Sequence, residues 1–237
     1  MKIRVKLTKG EQVKFISHLD LLKVLSRAVR RAEIPIEFSQ GYNPRPAIAA
    51  GPALAVGITS CSEYFDFELA TEYPLAEFKA DLGAELPAGI DLIAAQEIEI
   101  SVKSLMAQIN AARYELDLQL EIELKAAEVE EILADFLANS EVIITRKRRN
   151  KSDRQLDLRP LVFELQLLET AANSKQVLLE ALIQTGSSGN LRPQELVRAL
   201  QKSYPISEDF SLTDIKRTGL YIKEADKLLT PFEVISK

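Results

Sequence analysis

The chain has one cysteine, one histidine and no apolar run long enough to cross a bilayer. A single thiol, Cys61, closes no internal disulfide and cannot by itself hold a zinc ion or an iron–sulfur cluster. With His18 the only imidazole, a two-histidine acid/base pair and a histidine-rich metal site are both excluded. No stretch approaches the roughly 20 apolar residues that span a membrane. The opening MKIRVKLTKGEQ lacks the apolar core of a secretory signal. GSSGN at 186–190 lacks the Lys-Ser/Thr ending of a phosphate loop and reads as a turn. A cytoplasmic protein with no metal site and no cofactor is the expectation.

What the chain does have is an uneven distribution of charge. Its 237 residues are 46% apolar and 27% charged, ordinary for a globular protein, with a formal net charge of −5. That total hides a partition. Residues 1–50 carry a balance of +6, residues 51–140 of −14, residues 141–160 of +4, and the remainder of −1. Local sign bears on partners more than the total does.

KIRVKLT (2–8) alternates cation and hydrophobe with period two, the pattern of a half-buried strand. Ser17 offers an N-cap, with Asp20 three residues on in the manner of a capping box. Leu21, Leu22, Leu25, Ala28, Val29 and Ala32 then share one side of a helix, and Lys23, Arg27, Arg30 and Arg31 share the other without an acidic residue among them. Pro35 forces a restart, IEFSQ (36–40) reads as a short strand, and 41–62 is a long connection punctuated by Gly41, Pro44, Pro46, Gly51, Pro52 and Gly57. EYFDFELA (63–70) is a strand, LAEFKADLGAEL (75–86) a helix and IDLIAAQEIEI (90–100) a strand. The order β-α-β-β-α-β is that of a ferredoxin-like split βαβ unit.

A similar order follows. SVKSLMAQINAA (101–112) connects the halves and is helical in part. RYELDLQLEIEL is a strand and AAEVEEILADFLA a helix. EVIITRKRR and LVFELQLLE form two strands around the basic turn NKSDR. KQVLLEALIQ fits a strand or a helix, RPQELVRALQKS is a helix with Pro193 in its first turn, and SLTDIKRTGLYIK closes as a strand. The fold class expected is α+β, two tandem ferredoxin-like halves with antiparallel sheets. The first half is 1–100 and the second 113–225, joined by 101–112 and followed by a tail at 226–237.

The residues that point to chemistry gather in 15–58. The helix cations Lys23, Arg27, Arg30 and Arg31 suit phosphates through charge-assisted bonds. The loop SQGYNPRP offers Gln40, Tyr42, Asn43 and Arg45 to an unpaired base, held by Pro44 and Pro46. RKRRNKSDR (146–154), with Arg146, Arg148 and Arg149, forms a second cationic patch, or else protects a strand edge. His18 is a candidate ligand or nucleic-acid contact, and it stands at the first helical position, where the helix dipole favours a neutral ring able to accept a proton near pH 7. A general base there would draw on Tyr42, Arg45 or Lys14 for charge stabilisation.

In FISHLD, SQGYNPRP, PALAVGI and EYFDFEL the chain closely resembles a bacterial family linked to radical SAM enzymes, fused to or encoded beside cobalamin-binding members. SLMAQINAARYE, LDLRPLV, GNLRPQELV and IKRTGLY are similar to the same family, so the likeness covers nearly the whole chain. It implies a radical SAM partner and no established activity. One cysteine cannot form the three-cysteine cluster motif, so this chain is not itself that enzyme. More distantly, the opening half looks like the ferredoxin-like modules of CRISPR RNA-processing endonucleases, which also place a histidine near the first helix. The reading is a non-catalytic accessory protein that binds tRNA or rRNA or presents substrate to the enzyme. Its alternatives are a metal-independent endoribonuclease with His18 as base, and a protein-only scaffold.

Overall fold

A computed structural model describes residues 1–147, 152–170, 175–207, 209, 213–225 and 227–235. Chain order runs β1 (Lys2–Lys9), α1 (His18–Arg31), β2 (Ile48–Ala50), β3 (Thr59–Glu68), α2 (Leu75–Glu85), β4 (Leu92–Ile98) and α3 (Leu105–Gln108). It continues with β5 (Ala111–Gln119), α4 (Ala126–Ala138), β6 (Ile143–Arg146), β7 (Arg154–Asp157), β8 (Val162–Thr170), β9 (Gln176–Gln184), α5 (Pro193–Ser203), β10 (Asp214–Glu224) and β11 (Lys227–Leu229). The fold is mixed α+β with extensive antiparallel sheet and few helices. It divides into two compact units, Met1–Asn110 with Arg217–Lys237, and Ala111–Lys216.

In the first unit β1 lies between β3 and β4, antiparallel to both, and β2 pairs antiparallel with the C-terminal part of β3. Period-two alternation sends Ile3, Val5 and Leu7 to the face that also carries Phe65 and Phe67. Against them pack Leu21, Leu25, Ala28 and Val29 of α1 and Phe78 and Leu82 of α2, all nearly inaccessible. Phe67 and Phe78 meet edge to face at 5.6 Å. Ser17 caps α1 by accepting from the Asp20 amide at 3.2 Å. At the other end Glu33 takes a left-handed φ of 53°. Its amide donates to Arg30 O and that of Ile34 to Val29 O, so two terminal carbonyls are satisfied before Pro35 turns the chain.

The opposite face of β1 departs from expectation. Alternation there predicts cations in water, yet Lys2 is 6% exposed and Arg4 fully buried. Arg4 donates from Nε and Nη2 to Asp66 at 2.7 and 2.9 Å, and from Nη1 to Pro231 O at 2.7 Å. Phe232 packs edge to face on Tyr64 at 5.3 Å. Chain from the far end of the sequence thus covers what local pattern assigns to solvent.

Two further expectations are corrected. IEFSQ is not a strand: Ile36 and Phe38 make isolated bridges to Leu69 and Pro46, and the paired segment is β2, twelve residues after Ile36. Prolines 35, 44 and 46 remove the amides a continuous ladder needs. In the second unit β6 pairs with β7, Ile143 opposite Asp157, whereas LVFELQLLE forms β8 and pairs with β9. KQVLLEALIQ is therefore a strand, and the helical part of 101–112 is only Leu105–Gln108.

Candidate nucleic-acid interface

All of the candidate residues in 15–58 belong to the first unit, but they form two places rather than one. His18 begins α1 and Arg30 stands in its last turn. At 1.5 Å per residue the two are about 18 Å apart along the axis. The loop 39–45 closes at the C-terminal end of α1: Phe38 bridges Pro46, the Ser39 amide donates to Arg45 O at 2.8 Å, and the Arg45 amide donates to Ser39 Oγ at 3.1 Å. The segment around Gly57 lies at the other end, its amide donating to Lys14 O at 2.9 Å. Gly57 has φ of +84°, which a side chain would strain.

The basic face of α1 is not uniform. Lys23 lies 2.9 Å from Asp20 Oδ1, and Arg31 sends Nε to Glu85 Oε2 at 2.6 Å and Nη2 to Glu85 O at 2.5 Å. The expectation of a stripe without acidic neighbours fails at both: Asp20 comes one turn earlier on the helix, and Glu85 from α2 beside it. Arg27 and Arg30, both exposed, carry no ion pair among the described residues. Arg30 instead stands over the ring of Phe38 at 5.9 Å, within cation–π range. Phe38 is 41% exposed and Tyr42 entirely so. Gln40, Asn43 and Arg45 are exposed on the same loop. The C-terminal end of α1 therefore presents two uncommitted guanidinium groups, a third on Arg45, and two accessible aromatic rings.

At the N-terminal end His18 is half-buried, and beneath it lies a charged group that sequence reading did not anticipate. Arg217 of β10 is fully buried and donates from Nε to Glu63 Oε1 at 2.9 Å and from Nη2 to Oε1 and Oε2 at 2.5 Å. Lys9, 2% exposed, donates to Lys14 O at 2.9 Å. Burial is the main cause that holds the His18 pKa below the usual imidazole value; Glu63 opposes it, and Arg217 and Lys9 add to it. The neutral ring was expected from the helix dipole, whereas the dominant cause is desolvation. Burial likewise lowers the Lys9 pKa, with Glu63 opposing. Phe15 and Leu19 are 73% and 67% exposed at this end.

This separation bears on acid/base chemistry. Phe38 and Pro46, the anchors of the loop holding Tyr42 and Arg45, are tied to the end of α1 remote from His18, and Lys14 pairs with Glu11 Oε2 at 2.7 Å. Of the three groups that a base at His18 would draw on, Tyr42 and Arg45 thus stand on the remote loop and Lys14 carries an ion pair. Cys61 is partly buried and donates weakly to Thr218 O at 3.6 Å.

In the second unit Arg146 sends Nε and Nη2 to Glu195 at 2.8 and 2.6 Å and Nη2 to Asn190 O at 2.9 Å. It ties β6 to the start of α5 and is not a free cationic arm. Arg148 and Arg149 lie outside the described residues. Among the described residues no group of His, Cys, Asp and Glu is arranged to hold a metal, and no helix is long and apolar enough to cross a membrane.

An α+β protein with a basic, aromatic-bearing helix end is what the geometry defines. A family model described as "Uncharacterized protein conserved in bacteria (DUF2344)" matches residues 2–193, and the chain belongs to that family. No curated protein matches the sequence. Among solved structures, a Cbf5-Nop10-Gar1 complex is similar with a TM-score of 0.51 at 13% identity, over 98% of this chain and 53% of that one. The archaeal box H/ACA sRNP Nop10-Cbf5 complex gives 0.48 at 12% identity, over 98% and 52%. The chain spans about half the length of these neighbours, and at 13% identity the likeness to the Cbf5-Nop10-Gar1 complex concerns the fold alone.

Proposed function

We propose that this protein binds RNA through the C-terminal end of α1 and the loop 39–45, and serves as a non-catalytic partner that presents RNA to a radical SAM enzyme. The observation that carries the RNA part is the pair Arg27 and Arg30, exposed and free of ion pairs among the described residues, beside Phe38, Tyr42 and Arg45. A guanidinium not already neutralised can replace a counterion at a phosphate, and the aromatic groups suit bases. Lys23 and Arg31 stand beside them as secondary contacts, since each must first leave a carboxylate. Gln40 and Asn43 supply hydrogen bonds to base edges. The link to a radical SAM enzyme rests on the resemblance in FISHLD and SQGYNPRP. In the first unit the antiparallel order β4-β1-β3-β2, with α1 and α2 on one face, supports the ferredoxin-like reading. For the second unit that reading rests on the sequence order.

The test is the salt dependence of binding to tRNA and to rRNA fragments. Binding in dilute salt is expected to weaken steeply as salt rises, log affinity falling linearly with log salt by about 0.7 for each phosphate contacted on a single strand. No detectable binding to either RNA at low salt removes the proposal.

A further inference from the structure

Phosphate contacts alone would suit any RNA, and the loop carries more than cations. Phe38 is not part of the core: it stands at the base of the loop, half open, with Arg30 over its ring at 5.9 Å. Its backbone is fixed by the bridge to Pro46 and by the two Ser39–Arg45 hydrogen bonds directly beyond it. A ring held this way offers a stacking platform at little further cost in conformational freedom. Tyr42 is fully exposed at the tip, and packing gives no reason for an apolar ring there. A base can use these rings only if it is out of its own stack. In an A-form duplex the bases are stacked on one another and the major groove is too narrow for side chains. A duplex would therefore meet the arginines and leave the rings unused.

Building on the RNA reading above, we infer that the ligand of this surface is a single-stranded segment of RNA, one unpaired base stacking on Phe38 beside Arg30. The phosphates flanking that base lie on Arg27 and Arg45. Such stacking tolerates different bases, because every base has a π face. Selection by this contact is for an unpaired strand rather than for a sequence.

The experiment compares a short unstructured oligoribonucleotide with the duplex it forms with its complement, at one salt concentration. The full chain, Phe38→Ala and Tyr42→Ala are measured against both. The single strand is expected to bind more tightly, with Phe38→Ala weakening it about tenfold and leaving duplex binding unchanged. Tyr42→Ala, at a position with no burial to lose, is expected to weaken the single strand by a smaller factor. If Phe38→Ala leaves the single strand unchanged, or weakens both RNAs alike, the inference is overturned and RNA binding itself stands. If neither RNA binds the unaltered protein, the function proposed above falls together with this inference.

Discussion

Replacing Glu63 with alanine is expected to cost about 3–5 kcal/mol of folding stability, enough to unfold a marginally stable protein. Glu63 is 3% exposed and receives three donor contacts from the fully buried Arg217. Lys9, also buried, acts on the same region, and Glu63 is the carboxylate that offsets both cations. Glu63→Ala leaves two cations in low dielectric without it. The penalty comes from the stranded charge rather than from the net worth of the pair. Glu63→Gln, which keeps shape and a hydrogen-bond acceptor, is expected to lose less. Replacing both members, with Glu63→Met and Arg217→Leu, should recover most of the loss. Urea unfolding of the four proteins checks this, and a loss below about 1 kcal/mol in Glu63→Ala would show that the pair is already solvated.

The second large effect concerns binding. Arg27→Glu, Arg30→Glu and Arg45→Glu together are expected to weaken RNA binding about a hundredfold or more in dilute salt. Each substitution removes one phosphate contact and places a like charge against the backbone. The slope of log affinity against log salt should fall by about 2 on single-stranded RNA. All three side chains are exposed, so the fold should survive, and circular dichroism verifies that directly. Charge reversal at Arg146 is the contrasting case. It breaks the bonds to Glu195 and Asn190, so its effect should fall on stability instead. An unchanged salt slope in the triple variant would place the RNA elsewhere on the molecule.

Local pattern conveyed the helix α1 well, because capping, amphipathicity and the proline stop agree over one continuous stretch. Its N-cap, its buried residues and its end at Ala32 follow from residues within a turn of each other. What lay beyond reach was contact between distant segments. Arg31 reads as a free cation until α2 brings Glu85 beside it, 54 residues later. Arg4 reads as a solvated strand cation until Pro231 and Val234 cover it. Some signal did exist for the buried pair. In EYFDFEL the alternation places Glu63 in phase with Phe65 and Phe67, a carboxylate on the apolar face, and such a residue demands a cationic partner. In IKRTG, Arg217 likewise runs in phase with the buried Ile215. Matching the two requires the sheet.

Within the candidate site, Arg27, Arg30, Tyr42 and Arg45 were readable as exposed and polar or aromatic on a loop and a helix face. Phe38 was not, since a short apolar–polar alternation in IEFSQ is equally the mark of a strand. Pro46, one of the prolines that interrupt that strand, is also the bridge partner of Phe38. His18 and the loop looked like neighbours because they are close in sequence. The length of α1 between them sets them apart.

Ultraviolet crosslinking of bound tRNA or rRNA fragments to the intact protein, with the attached peptide identified by mass spectrometry, tests the central claim most directly. The peptide expected is the one containing Phe38 to Pro46, with Tyr42 or Phe38 as the attached residue. Crosslinks confined to the second unit, or to Phe15 and Leu19 at the opposite end of α1, would contradict the account.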